Sequence, residues 1–181
     1  MKFDFSFGEM TVYEREKLYN YVKKYNPSIT LECGSGVGAS THIIVNAISE
    51  ESMLYSCDPI RRPNFSNKLL SFHKKTSDEL IKILIDKQIY PNFIFFDGPE
   101  EPEVALSDFI ELDKYVGSGA IFSMHDWCTV RRKYDGAIST KSKLLKPYIN
   151  SLSTWELIEE TDGENFVVGE ESVGICFYKK K

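Results

Sequence analysis

Between residues 11 and 25 the apolar and aromatic positions Val12, Tyr13, Leu18, Tyr19 and Val22 recur close to a helical period with charges between them, which predicts a helix over Thr11–Tyr25. Asn26-Pro27-Ser28 ends it, because proline disfavours helical geometry in the residue before it. Short apolar runs then alternate with helix-length segments. Strands are expected at Ile29–Glu32, Met53–Cys57 and, more weakly, Leu69–Lys74, with helices at Ala39–Ser49 and Ser77–Asp86; Arg61–Asn67 is polar and fits neither pattern. Asn92–Phe96 contains FIFF, a continuous apolar run of the kind buried on both faces of a parallel sheet. A helix over Glu103–Tyr115, a strand over Ala120–Met124 and a short helix over Lys141–Asn150 follow. No helical pattern separates Trp155–Ile158 from Val173–Tyr178, so these last strands read as an antiparallel hairpin. Strands alternating with helices and closed by a hairpin imply an α/β fold, a doubly wound, mostly parallel seven-stranded sheet with helices on both faces.

Within that frame the segment ITLECGSGVGAST, Ile29 to Thr41, carries the most specific information. A strand ending in Glu32 runs into Gly34, Gly36 and Gly38 and then into a helix, the layout in which an open α/β sheet holds an adenosine-containing ligand beyond its strand ends. Three later acids, Asp58, Asp97 and Asp126, also follow strands. A parallel sheet would gather all four along its carboxyl edge. Carboxylates there attract an ammonium or a sulfonium and accept hydrogen bonds from ribose hydroxyls, whereas they would repel a pyrophosphate. Each acid alone could equally be a solvated loop residue or a helix cap.

Composition narrows the setting. A chain of 181 residues, 42% hydrophobic and 27% charged, suits one globular domain (1–181), with residues 1–28 as an N-terminal arm and helix. No apolar run approaches the roughly 20 residues of a membrane span, and MKFDFSFGEM lacks the continuous apolar stretch of a secretory signal. Cys33, Cys57, Cys128 and Cys176 are spread singly with no metal-ligand spacing, which fits a reducing, cytoplasmic compartment. A net charge of −5 argues against a nucleic-acid surface, and the basic groups Arg131-Arg132-Lys133 and Lys179–Lys181 fit a solvated loop and tail.

These residues resemble the class I S-adenosylmethionine-dependent methyltransferases, and among them the small O-methyltransferases related to catechol O-methyltransferase. Glu32-Cys33-Gly34-Ser35-Gly36-Val37-Gly38 matches the E-x-G-x-G-x-G motif of that superfamily, and Phe95 to Trp127 resembles its block from strand four to strand five, with D-G and H-D endings. The resemblance implies a Rossmann-like fold and S-adenosylmethionine as cofactor. It places Gly34, Gly36 and Gly38 in the turn under the methionine part, with Glu32 toward its ammonium and Ser40 near its carboxylate. Asp58 falls at the ribose, Ser77 and Asp78 near the adenine, and Asp97 beside the sulfonium. In metal-dependent relatives Mg²⁺ orients and acidifies the acceptor hydroxyl, and Asp97 and Asp126 match two of its ligand positions. This chain reads His125-Asp126-Trp127 where relatives carry D-N or D-D. A histidine suits Mn²⁺ or Fe²⁺ better than Mg²⁺, so the identity of the divalent metal, Mg or Mn, stays open. His125 could instead serve as a general base without metal, or be a histidine hydrogen-bonded at a strand end.

Two other readings remain at this level. Gly34 to Ala39 also satisfies G-x-G-x-x-A with Asp58 roughly 20 residues on, as in an NAD(P)-binding oxidoreductase, although a dehydrogenase has no use for the Phe95–Trp127 block. A methyltransferase-like binding protein without turnover is the other. The absence of an Asn/Asp-Pro-Pro-Tyr motif favours a small hydroxylated acceptor over a nucleobase. Phe3, Phe5 and Phe7, and the loop from Cys128 to Ala137, are candidates for shaping its pocket.

Overall fold

The computed structural model describes residues 10–99, 101–127, 141–161 and 174–181. Phe3, Phe5, Phe7, the Cys128–Ala137 loop and the Arg131-Arg132-Lys133 cluster lie outside the described residues. Helix α1 (Val12–Tyr25) begins at a reciprocal cap. Thr11 Oγ1 accepts from the Glu14 N–H, and the Glu14 carboxylate accepts from the Thr11 N–H. At its other end Asn26 turns left-handed before Pro27.

Next in chain order come β1 (Ile29–Cys33), α2 (Ala39–Ala47), β2 (Met53–Cys57), β3 (Leu70–His73), α3 (Ser77–Asp86), β4 (Phe93–Phe96), α4 (Pro102–Asp113) and β5 (Ile121–His125). α5 (Ser142–Ser151), β6 (Trp155–Thr161) and β7 (Ile175–Lys180) complete the described elements. The seven strands form one sheet in the order β3-β2-β1-β4-β5-β7-β6. β1 to β5 pair in parallel, and β7 runs antiparallel to both β5 and β6. The expected hairpin is therefore present, with β7 inserted between β5 and β6.

The period of two along each strand divides the core between two faces. Phe93, Phe95 and Ile121 pack with Leu18 and Val22 of α1 and Ile43 and Ile44 of α2. Ile94, Phe96, Phe122 and Met124 face Leu80 and Leu84 of α3, Phe109 of α4 and Leu145 of α5. FIFF is buried at all four positions, as its unbroken apolar run predicts. Reversal from β1 to β4, at the centre of the sheet, puts the carboxyl ends of these two strands side by side.

Two boundaries differ from the sequence reading for a physical reason. β5 extends one residue past Met124, so His125 is a strand residue paired with Ile175. β6 continues past Ile158 to Thr161 although Glu159 and Glu160 look like loop. Glu159 is bonded by Lys17 and Tyr21, and Glu160 by Lys146 and the Trp127 indole, so partners distant in sequence hold the edge strand in place. Among the described residues no helix is long and apolar enough to cross a membrane.

Candidate active site

The glycine turn leaves β1 at Cys33 and enters α2 at Ala39. Gly34 and Ser35 both donate their N–H groups to Cys57 O, at 2.8 and 3.1 Å, which folds the turn back over the end of β2. Gly34 has φ +93°, and a Cβ there would lie 2.3 Å from Gly98 Cα. Only glycine lets the turn after β1 touch the turn after β4 this closely. Gly36 has φ +51° and is the opposite case, since a Cβ on it would meet nothing within 4 Å. Its backbone faces open space. Gly38 caps α2 and packs beside Pro63 and Phe65 of the loop after β2.

Two acids hold this half of the edge. Glu32, fully buried in β1, accepts hydrogen bonds from Ser40 Oγ at 2.6 Å and Thr41 Oγ1 at 2.7 Å, both in the first turn of α2, and from Ser56 of β2. Burial pushes its carboxyl up to about 7, against the pull of those three hydroxyls. The Ser40 hydroxyl is thus directed at Glu32 rather than outward. Asp58 accepts from the Gly36 N–H at 2.9 Å with one oxygen, and from the Ile60 and Arg61 N–H groups at 2.9 and 2.7 Å with the other. It pins the glycine turn to the loop after β2. Beside it lies an open pocket of about 410 Å³ lined by Ile60, Arg61, Arg62, Phe72 and Lys74. The Ser35 hydroxyl, in the turn itself, is buried without a hydrogen-bond partner among the described residues. A buried donor left in that state favours a ligand that can accept from it.

The β4–β5 half is built differently. Asp97 stands after β4, held by its N–H on Cys33 O at 2.8 Å. His125 ends β5, and Asp126 follows it with φ +58°, a left-handed conformation that aspartate tolerates better than most residues. His125 Nδ1 is 3.1 Å from Asp97 Oδ1 and 3.8 Å from Asp126 Oδ1, and its Nε2 is 3.4 Å from Glu14 Oε2. Burial works against charge on the ring, but Asp97, Glu14 and Asp126 outweigh it and raise His125 to about 10. In this arrangement the carboxylates favour the protonated imidazole near neutral pH, as a hydrogen-bond donor to them. Lys141, buried at the entrance of α5, places its Nζ 3.1 Å from Asp126 Oδ2 and 3.8 Å from Asp97 Oδ1. One ligand atom from each of Asp97, His125 and Asp126 lies within 4.8 Å of the others.

The four acids expected along the carboxyl edge are therefore all there, in two groups. Ser77 and Asp78 sit farther along. Ser77 Oγ donates to Asp108 of α4, tying α3 to α4, and Asp78 is exposed in the first turn of α3. Burial raises the Asp108 carboxyl to about 6, opposed by the Ser77 bond. Glu14 and Lys141 were not legible as site residues. Thr11-x-x-Glu14 signals a helix cap, yet the same carboxylate also reaches His125 and accepts from the Gly174 N–H at 2.9 Å. Lys141 carries no local pattern beyond the start of a helix.

A family model described as a methyltransferase domain matches residues 31–127, slightly more than half of the chain. No curated protein matches it in sequence. Among solved structures, an O-methyltransferase from Bacillus cereus in complex with SAH superposes with a TM-score of 0.74 at 11% identity, covering 95% of this chain and 82% of that one. The O-methyltransferase TomG from Streptomyces achromogenes, involved in tomaymycin synthesis and in complex with SAM, gives 0.73 at 11% identity, with 94% and 81% covered. A methyltransferase from Geobacter sulfurreducens gives 0.63 at 11%, with 93% and 79% covered. At such low identity the likeness carries the fold.

Proposed function

Because the chain belongs to the methyltransferase-domain family, we propose that it binds S-adenosylmethionine over the glycine turn and transfers the methyl group to a hydroxyl of a small-molecule acceptor. The observation that carries this reading is the Gly36 backbone, open on one side and backed by acids whose present partners are neutral. A ribose can take over hydrogen bonding to Asp58. An ammonium can be met by Glu32, directly or through water, and the amino end of α2 with the Ser35 hydroxyl offers donors to a carboxylate, while the Ser40 hydroxyl stays on Glu32. Gly34 and Gly38 shape the cradle, Ser77 and Asp78 border the adenine side, and Asp97 stands next to the sulfonium end. Neighbours of this fold were crystallised with SAH and SAM, which supports the same ligand here.

The bound cofactor supplies an electrophilic methyl group on a positively charged sulfur. What this chain adds is alignment and charge. Asp97 and Asp126 follow the ends of adjacent strands, so the two carboxylates stand together at the edge where an acceptor hydroxyl can be held. His125, 3.1 Å from Asp97 Oδ1, holds that carboxylate in place. Asp97, His125 and Asp126 would hold an ion of Mn²⁺ type only with His125 deprotonated and the Lys141 ammonium moved away, and such an ion would acidify and orient the acceptor hydroxyl. Cys33, Cys57 and Cys176 are free and buried, which suits a cytoplasmic setting.

Calorimetric titration tests the cofactor. S-adenosylhomocysteine is expected to bind the wild type, and Gly36→Val, which fills the open side of the turn, to abolish binding. Undiminished binding in that variant would remove the cofactor from this turn.

A further inference from the structure

We propose that Lys141 is the resident cation of the β4–β5 acid cluster, and that a divalent metal can enter only by displacing its ammonium. This rests on reading Asp97 and Asp126 as a cation-holding pair and is independent of the ligand assigned to the glycine turn. The Lys141 side chain is 1% exposed, and its Nζ stands 3.1 Å from Asp126 and 3.8 Å from Asp97. These are the two carboxylates that belong to the group of possible metal ligands. A lysine ammonium is a compact point charge with three donors, so it can stand where an ion would stand. An ion bound by the same two carboxylates would lie against that ammonium, and two like charges in a buried site repel strongly.

Among the described residues, the charged groups at the cluster come from elements far apart in the sequence. Glu14 comes from α1, Asp97 from the end of β4, His125 and Asp126 from the end of β5, and Lys141 from the entrance of α5. Three carboxylates thus meet one ammonium and one imidazole. Removing the ammonium leaves an excess of negative charge around Asp97 and Asp126, and an entering divalent ion takes their two oxygens and, on displacing its proton, the His125 nitrogen. With Lys141 present, Asp97 and Asp126 already have a cation within 3.8 Å without metal. Methyl transfer by the wild type then proceeds with chelator present, and the side chain that orders the acids is part of the chain itself.

The experiment is Mn²⁺ binding, read by electron paramagnetic resonance of the free ion, to the full chain and to Lys141→Met and Lys141→Arg. The wild type and Lys141→Arg are expected to bind at least tenfold more weakly than Lys141→Met. Adding Asp126→Asn to Lys141→Met is expected to remove the gain. Lys141→Gln, which keeps the polar reach without the charge, reads the same effect should the methionine variant fail to fold. The wild type alone also decides: tight, stoichiometric Mn²⁺ binding in the low micromolar range overturns the proposal, as does equal affinity in Lys141→Met and wild type or no binding by either. S-adenosylhomocysteine titration of the same samples separates the two readings, since its failure in the wild type removes the cofactor and leaves the cation result standing.

Discussion

Glu32 and Asp58, at the β1–β2 end of the carboxyl edge, are met by neutral donors: the hydroxyls of Ser40, Thr41 and Ser56 for one, and the N–H groups of Gly36, Ile60 and Arg61 for the other. Asp97 and Asp126, at the β4–β5 end, are met by an imidazole and an ammonium. The residue type is the same and the partners differ in charge. Neutral donors can be exchanged for the hydroxyls or ammonium of a ligand without uncovering a buried cation, so the first group is suited to binding and releasing. A carboxylate paired with a buried cation cannot be neutralised without stranding that cation, so the second group is suited to holding a fixed geometry. The Gly34–Gly98 contact joins the two.

Gly34→Val strikes that joint and carries the largest expected effect. Its Cβ would stand 2.3 Å from Gly98 Cα at a φ of +93°, so backbone has to move on both sides. A loss of upwards of about 4 kcal/mol is expected, enough to abolish a cooperative thermal transition followed by circular dichroism. A melting curve close to wild type would mean that the two halves are not rigidly joined. Asp126→Asn comes next. Asparagine accepts the left-handed φ of +58° as readily as aspartate, so the change removes charge with little backbone strain. It weakens the pairing of buried Lys141 and His125, and a loss of about 3 kcal/mol in urea unfolding is expected. A much smaller loss would argue that these ions are solvated.

The pH dependence separates the halves as well. Glu32 is raised from an ordinary value near 4.5 to about 7, so the folded state holds its proton more tightly than the unfolded chain. Its contribution is fully present below about 4.5 and is lost as pH rises through about 7, on the order of 3 kcal/mol in all. His125 is raised from 6.5 to about 10, so its contribution is present below 6.5 and is lost as pH rises through about 10. Glu32→Gln is expected to flatten the difference in urea stability between pH 4.5 and 7 and to leave the alkaline limb unchanged. An unaltered slope in the acid window would show that Glu32 is ionised throughout.

Much of this arrangement was legible before any coordinates. The glycine turn announces itself because only glycine satisfies both its positive φ and its approach to Gly98, and β4 because four apolar residues in a row need two covered faces. What escaped was set by partners far apart in sequence. Glu14 lies 111 residues from His125, and its local role as a helix cap gives a sufficient account of it. Lys141 looks like any charge at a helix start until folding brings it against two strand ends. The bond from Ser77 to Asp108 joins residues 31 apart, and period and spacing assign that acid only to a helix. Glu159 and Glu160 read as loop because acids are depleted in strands, a preference that Lys17, Tyr21, Lys146 and Trp127 override.

The smallest expected effect comes from repeating the Asp→Asn change in the other half. Asp58 is only partly buried, and all three groups bonded to it are backbone N–H donors that carry no charge. An asparagine there keeps one accepting oxygen and turns the other position into a donor. Either the Gly36 bond or the pair from Ile60 and Arg61 is lost, and water reaches the group that is freed. About 1 kcal/mol is therefore expected in urea unfolding, well below the loss at Asp126. If Asp58 also accepts from a ribose, as proposed, S-adenosylhomocysteine should bind about tenfold more weakly, because a single remaining oxygen cannot serve both the turn and the ligand. Equal stability losses at positions 58 and 126 would erase the distinction between neutral and ionic halves. A stability loss without any change in affinity would keep that distinction and confine Asp58 to pinning the turn.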